Sequence, residues 1–419
     1  MICDVDRRLP VEKGRYTAEN VVLACVRRQT VSEVVFEDAL TQARTLDHAY
    51  QETGQLKGPL HGVLVTLKDQ FKMKGPDTTL GYVGRSFAPA TEDAVLVQML
   101  RDMGPIILAK TNLPQSIMGL TVNPRNPRFT PGGSTGGEAV LLTLHGSLLG
   151  FGIDIGGSTR ILQSIMGLYG FKPSIRFTPS RRFPYFGASV STEGQEHAPS
   201  SIGPMARNLA SITYVSRSIA NARPWELDPK CIPLPSSPIE RALLGLSAKL
   251  LEKDIRRDVA FAGEPLIPHV KGLIDRRKAV SVYDYCQLNK QKIALQKKYL
   301  SKWNAVRSFS GKSIDILLAP TTPHPAIPQR GMRWVGYSRI WNLLYYPAVT
   351  FPVDEVRVTV DGAPESYQPR NELDAWNWNF YDVKAMEGHP VNVQVIGKKL
   401  NEEKVLGAAT VIEKASRGS

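Results

Sequence analysis

A single α/β domain is the fold class that this sequence predicts, and three observations carry the prediction. Uncharged β-branched runs of strand length alternate with stretches of helical period. Two glycine-serine loops, 132–137 and 154–158, each lead into a helical segment. The 419 residues, 42% hydrophobic and 22% charged, are of ordinary globular composition and numerous enough to bury a large core. At about 150 residues per domain the length would allow two or three domains, but single α/β domains exceed that average.

Taken in order, the first sixty residues read as helix. Thr17-Ala-Glu-Asn20 can cap Val21 to Arg28, and Val31 to Gln51 keeps its apolar residues on one face. Gly62-Val-Leu-Val-Thr-Leu67 is a buried strand that delivers Lys68 at its C-terminal end. Ala94 to Met103 is helical, and Ile106-Ile-Leu-Ala109 is a second buried strand ending in Lys110-Thr-Asn112. Residues 121–137 carry too much Pro, Gly and Asn to be regular. A short helix (138–144), a strand (148–153) and the tight loop Asp154-Ile-Gly-Gly-Ser158 follow, the loop opening a helix. Five prolines between 224 and 238 mark a surface excursion or linker. A helical block from 239 to 306 precedes three strands (314–319, 348–353 and 391–396) and a closing helix, 402–415. Within that block, 239–260 is expected to form an amphipathic helix on Leu243, Leu246, Leu250 and Leu251. Lys290 to Lys302 forms another, with Ile293, Leu300 and Trp303 at helical spacing and a wet basic face. The hexapeptide QSIMGL occurs at 115–120 and again at 163–168, which is too little for a repeat architecture.

Charge is the unusual quantity: 52 Lys+Arg against 39 Asp+Glu give +13 at pH 7. The cations are dispersed and no nucleic-acid-binding signature accompanies them, so a solvated basic surface and no nucleic-acid partner are expected. Cys3, Cys25, Cys231 and Cys286 form no CxxC pair, which predicts neither a zinc site nor a disulfide framework and suits a reducing compartment. Neither a secretory leader nor an apolar run of about 18 residues is visible. The expectation is a cytoplasmic protein without a transmembrane segment.

The glycine-serine loops point backbone N–H groups at something negative, and three chemistries compete for them. Gly150-Phe-Gly152-Ile-Asp-Ile-Gly156 loosely fits a dinucleotide fingerprint, but it sets Asp154 where a pyrophosphate would be repelled. Gly132-Gly-Ser134-Thr-Gly136 fits the G-x-S-x-G elbow of serine hydrolases, yet Asn126-Pro-Arg-Phe-Thr-Pro131 precedes it instead of a strand. That elbow also needs a histidine, and His197, His269, His324 and His389 each stand alone downstream. The third reading joins both loops with Lys68.

Gly58-Pro-Leu-His-Gly62 through Lys68-Asp, Lys110-Thr-Asn-Leu-Pro114, Gly132-Gly-Ser134-Thr-Gly-Gly-Glu138, Asp154-Ile-Gly-Gly-Ser158-Thr-Arg160 and Gly170-Phe-Lys-Pro-Ser174 together resemble the amidase signature family. Gly203-Pro-Met-Ala-Arg207, Trp334-Val-Gly-Tyr337, Tyr346-Pro-Ala-Val349 and Gly388-His-Pro-Val391 resemble its fungal, acetamidase-like branch. The likeness runs from about residue 17 to the end, and the two serines stand 24 apart as in the family. It implies an α/β/α sandwich with a large mixed sheet between helices. Residues 1–57 would form an N-terminal helical region and 58–210 the signature core. Residues 211–260 would be a Pro-rich, shortened segment, and 261–419 the C-terminal part of the same domain.

The resemblance further implies hydrolysis of carboxylic acid amides through a seryl ester. Ser158 would be the nucleophile, Ser134 the bridging serine after a cis peptide bond, and Lys68 the base. The backbone N–H groups of Ile155, Gly156, Gly157 and Ser158 would form the oxyanion hole, with Asp154 and Arg160 paired to brace the loop. No cofactor and no metal are implied, and the partner is a small-molecule amide, expected to be small or medium and neutral. A homodimer stays open. A serine hydroxyl needs a base, and a lysine at its usual pKa is neutral in only about one molecule in 2,500 at pH 7, so burial must depress it. Departures from the family pattern are Thr135 for serine, Ile153 for threonine and Leu162-Gln-Ser-Ile-Met166 for a Pro-Ala-Ala-Phe-Cys type of segment. Thr135 and Ile153 are expected to weaken the supporting hydrogen bonds. Against the family pattern, gaps are expected before Thr17, near Gln29, between Met118 and Thr121 and, most seriously, between Pro238 and Ala260, where relatives would supply a strand and flanking helices. Two alternatives remain at this level: an ammonia-releasing A-subunit-like component of a tRNA-dependent amidotransferase, and a catalytically impaired amidase-like protein.

Overall fold

Side chains on the strand that carries Lys68 alternate between two packed layers, and this alternation organises the fold. The computed structural model describes residues 33–113, 120–174, 199–228, 250–275, 281–362 and 367–416. Its strands are β1 (Glu33–Val34), β2 (Leu64–Lys68), β3 (Ile106–Thr111), β4 (Leu149–Asp154) and β5 (Tyr169–Lys172). They continue with β6 (Ser201–Ala206), β7 (Ile316–Pro320), β8 (Ala348–Glu355) and β9 (Pro390–Gly397). All nine join one mixed sheet in the order β1-β3-β2-β4-β6-β5-β8-β9-β7. β2 runs parallel to both β3 and β4, and every other pairing is antiparallel. β5 pairs with β8, Gly170 opposite Thr350, so strands from both halves of the chain share the sheet.

The helices are α1 (Phe36–Thr53), α2 (Val95–Met103), α3 (Gly136–Thr143), α4 (Ile161–Met166), α5 (Leu209–Asn221) and α6 (Leu250–Ala262). They go on with α7 (Pro268–Asp275), α8 (Val282–Ala305), α9 (Gly336–Leu344), α10 (Glu372–Trp378), α11 (Val383–Met386) and α12 (Glu402–Ser416). Val65 and Leu67 of β2 pack with Leu96 and Leu100 of α2, Ile212 of α5 and Val405 of α12 on one face. Leu64, with Ile106 and Leu108 of β3, faces Ala39, Ala43 and Leu46 of α1 on the other. α3 and α4 share that second side through Ala139, Val140, Ile161, Leu162 and Ile165. Each buried aliphatic side chain contributes about 1.5–3 kcal/mol, and the period-2 alternation puts Thr66 and Lys68 on the α1/α3/α4 side.

Several expectations need correction. Residues 33–34 are a strand edge on β3, not helix, and α1 starts at Phe36, while the helix expected at Val21 lies outside the described residues. Leu243 and Leu246 lie outside them too, as do residues 229–238 of the proline stretch. α6 is helical as expected, and its Ile255 and Val259 bury against Leu80, Tyr82 and Val270 while Arg85 holds Asp258 at 2.6 Å. On α8 the dry seam is Tyr285, Lys292 and Trp303, leaving Ile293 and Leu300 each 43% exposed. Lys292 lies on that seam because its ammonium reaches the Tyr345 hydroxyl at 3.0 Å while its stem packs.

Candidate active site

Three adjacent parallel strands, β3, β2 and β4, end together, and their last residues are Thr111, Lys68 and Asp154. The carboxyl edge of parallel strands is where α/β sheets expose side chains to a crevice. Lys68 is 1% exposed at that edge and its Nζ lies 2.7 Å from Ser134 Oγ. The Gly133–Ser134 peptide is cis. Ser134 and Ser158 are both half-buried, and among the described residues Ser158 Oγ makes no hydrogen bond. The Thr135 hydroxyl donates to the Ser158 carbonyl and so ties the two serine loops together.

The loop of Ser134 lies directly on the sheet because β4 presents glycines toward it. A Cβ on Gly152 would stand 2.9 Å from Thr135, and one on Gly150 would stand 2.2 Å from Glu138 Oε1. The glycines that loosely suggested a dinucleotide fingerprint are therefore packing positions. Phe151 and Ile153, on alternate positions, join the opposite core layer. Ile153 therefore packs on the layer opposite the serine loops, while Thr135 still supplies a hydrogen bond between them.

Burial pushes the Lys68 ammonium down to about 7, against the opposing pull of Asp154, Asp69 and Glu138. Glu138 itself is fully buried, and burial pushes its carboxyl up to about 8 although the Thr66 and Thr111 hydroxyls donate to it. A neutral Glu138 at pH 7 mutes one of the charges that would otherwise favour a protonated lysine.

Asp154 and Arg160 are both fully buried and paired, Oδ2 to Nε at 3.0 Å and Oδ1 to Nη2 at 3.2 Å. Burial alone would raise the Asp154 carboxyl; the Arg160 guanidinium reverses this and holds it below the usual range. The Gly157 N–H donates to Asp154 Oδ1 at 2.8 Å, because the loop folds back over the carboxylate. That N–H, one of the four expected to face an oxyanion, is thus engaged within the loop.

Other contributors escaped the sequence reading. Lys110, fully buried, bridges Asp69 Oδ1 at 3.3 Å and donates to Thr78 Oγ1 at 3.0 Å and to the Asp77 carbonyl. Asp69 Oδ2 in turn accepts the Leu80 N–H at 2.5 Å, which clamps residues 77–80 beside Lys68. Lys172 is buried under the next strands and donates to the Tyr346 carbonyl at 2.9 Å. Ser338 Oγ donates to the Gly156 carbonyl at 2.7 Å, and Asn342 Nδ2 to the Asp154 carbonyl at 2.9 Å. The repeated Lys-Asp and Lys-Thr-Asn strand ends were the available signal for the first clamp; Ser338 and Asn342 had none. His324 and His389 are buried, His389 edge-on against Phe129, and among the described residues neither serine hydrogen-bonds to a histidine.

The family model for Amidase matches residues 24–253 and 252–406. The chain is 44% identical to "Amidase 1" of Gibberella moniliformis, covering 96% of this chain and 91% of that one. It is 32% identical to an acetamidase of Emericella nidulans, covering 96% and 86% respectively. The first alignment spans 477 positions against 419 residues here, so that relative carries internal segments this chain lacks. Among solved structures, a fatty acid amide hydrolase superposes with a TM-score of 0.86 at 24% identity, covering 100% of this chain and 85% of that one. A structure described as an amidase superposes at 0.73 and 23% identity, covering 99% and 100%.

Proposed function

The chain belongs to the amidase signature family and hydrolyses carboxylic acid amides, and on that premise we propose how its residues divide the work. Ser158 is the nucleophile, Ser134 the bridging serine and Lys68 the base. Neutral Lys68 takes the Ser134 proton as Ser134 takes that of Ser158, and Ser158 Oγ attacks the amide carbonyl. The N–H groups of Ile155, Gly156 and Ser158 receive the developing oxyanion. The proton returns through Ser134 to the leaving nitrogen as the C–N bond breaks, and ammonia or amine departs. Water then attacks the seryl ester by the same relay, releasing the acid and restoring Ser158.

The observation that carries this reading is the 2.7 Å contact between Ser134 Oγ and a Lys68 whose burial pushes it to about 7. A fluorophosphonate probe tests it. The adduct should map by peptide mass to Ser158, and an adduct on Ser134 would overturn the assignment.

The pH dependence follows from the same lysine. The base acts when neutral, and its value is lowered from 10.5 to about 7, so kcat/KM should climb as pH rises through about 7 and level off above it. A flat profile from pH 6 to 9, or a midpoint near 10, would refute Lys68 as the base. Among the described residues no helix is long and apolar enough to cross a membrane. The same reading takes the enzyme to be cytoplasmic and its substrate to be a small amide, with no nucleic acid required.

A further inference from the structure

The first turn of α9 is stitched to the nucleophile loop. Ser338 Oγ donates to the Gly156 carbonyl, Arg160 Nη2 donates to the Ser338 carbonyl at 2.9 Å, and Asn342 Nδ2 holds the Asp154 carbonyl. Arg339 follows Ser338 on that turn, so its backbone is fixed relative to Gly156. A Cβ on Gly156 would stand 3.8 Å from Arg339 Nε and 4.0 Å from its Cγ. The guanidinium therefore lies beside the loop whose N–H groups are assigned to the oxyanion.

Arg339 is exposed, and among the described residues its side chain makes no hydrogen bond, ion pair or ring contact. Its neighbours in the fold are occupied. Arg160 holds Asp154, Asn342 and Gln394, and Arg333 lies 3.0 Å over the ring of Trp376. The Asp154 carboxylate at the start of the same loop is fully buried and already paired with Arg160. A permanently charged, forked donor is thus left facing solvent next to the reacting centre.

We propose that Arg339 is a specificity residue that recognises a carboxylate on the substrate, so that the preferred substrates are small amides carrying an acid group a few bonds from the scissile carbonyl. A guanidinium offers parallel N–H donors matched to the two oxygens of a carboxylate. The inference rests on the assignment of the 155–158 loop to the reaction, and it revises the neutral substrate expected from the sequence. It is distinct from oxyanion stabilisation: a group acting on the oxyanion would favour charged and neutral amides alike.

The test uses Ser158→Ala, in which an amide ligand stays intact, and two anilides of equal length: glutaric acid monoanilide and its neutral methyl-ketone counterpart, 5-oxohexananilide. Calorimetry should show the carboxylate ligand binding roughly tenfold more tightly, with the advantage shrinking as salt rises. Adding Arg339→Met should bring the affinity ratio to about one, Arg339→Lys should keep part of it, and Arg339→Glu should invert it. Equal affinities with Arg339 present, no measurable binding of the carboxylate ligand, or an unchanged ratio in Arg339→Met would each overturn the proposal. Turnover of the neutral anilide by the wild-type chain reports separately on the amidase chemistry. Turnover without discrimination sinks only the role of Arg339, and discrimination without turnover leaves that role supported.

Discussion

Replacing Ser158 with alanine should lower kcat by on the order of 10⁴-fold or more and abolish covalent labelling by a fluorophosphonate, because no oxygen remains to form the ester. The fold should be untouched: the hydroxyl is half-exposed and makes no hydrogen bond among the described residues. Ser134→Ala differs in kind. Ser158 is then present but cut off from Lys68, which among the described residues hydrogen-bonds only to the Ser134 hydroxyl at 2.7 Å, so labelling should slow greatly and still go to completion. Lys68→Ala should resemble Ser134→Ala at neutral pH and recover in part as pH rises, because hydroxide replaces the missing base. His324→Ala and His389→Ala should leave labelling in place, since among the described residues neither ring hydrogen-bonds to a serine. If Ser134→Ala alone eliminates labelling while Ser158→Ala retains it, the elbow reading wins and the relay is wrong.

The parts of this site that were legible share one property: local sequence dictated them. A run such as Leu64-Val-Thr-Leu67 has no stable alternative to a buried strand, and the residue at its end must then be a lysine at the rim of the sheet. Glycine-rich loops between strand and helix are equally local. What escaped is what depends on distant partners. β6 reads poorly because Gly203 and Pro204 interrupt it. In the fold, a Cβ at Gly203 would stand 1.8 Å from the Phe171 carbonyl, and Pro204 falls just beyond Met205 and Ala206, the residues that pair with β5. Both are allowed for reasons visible only once the neighbouring strand is in place. Ser338, Asn342 and Gln394 are polar residues with no pattern, and nothing local says that they converge on one arginine. The dry seam of α8 was misjudged by the same limit: periodicity ranks Ile293 above Lys292, whereas the Tyr345 hydroxyl, 53 positions away, favours the lysine.

The buried charge under the 154–158 loop leads to the second large effect, on stability. Arg160→Met should destabilise the protein by about 3–5 kcal/mol, because it removes one partner of a fully buried pair and leaves the other. The loss includes donors to Asp154, Gln394, Asn342 and the Ser338 carbonyl, so the loop that carries Ser158 loses its Arg160 link to β9 and part of its attachment to α9 as well. Urea unfolding measures the cost, and a change below about 1 kcal/mol would mean that water reaches Asp154 readily. Two controls separate charge from shape. Asp154→Asn combined with Arg160→Met should cost less than the sum of the single changes, since no uncompensated carboxylate remains. The pH dependence should also reverse in sign. In the wild type Arg160 holds the Asp154 carboxyl below its usual range, so that group stabilises the fold above its unfolded pKa and loses this contribution as pH falls. Without Arg160, burial dominates and raises the carboxyl above its unfolded value. The deficit of Arg160→Met should then be fully present at neutral pH and shrink as acid protonates Asp154, whereas a loss of packing alone would leave it constant.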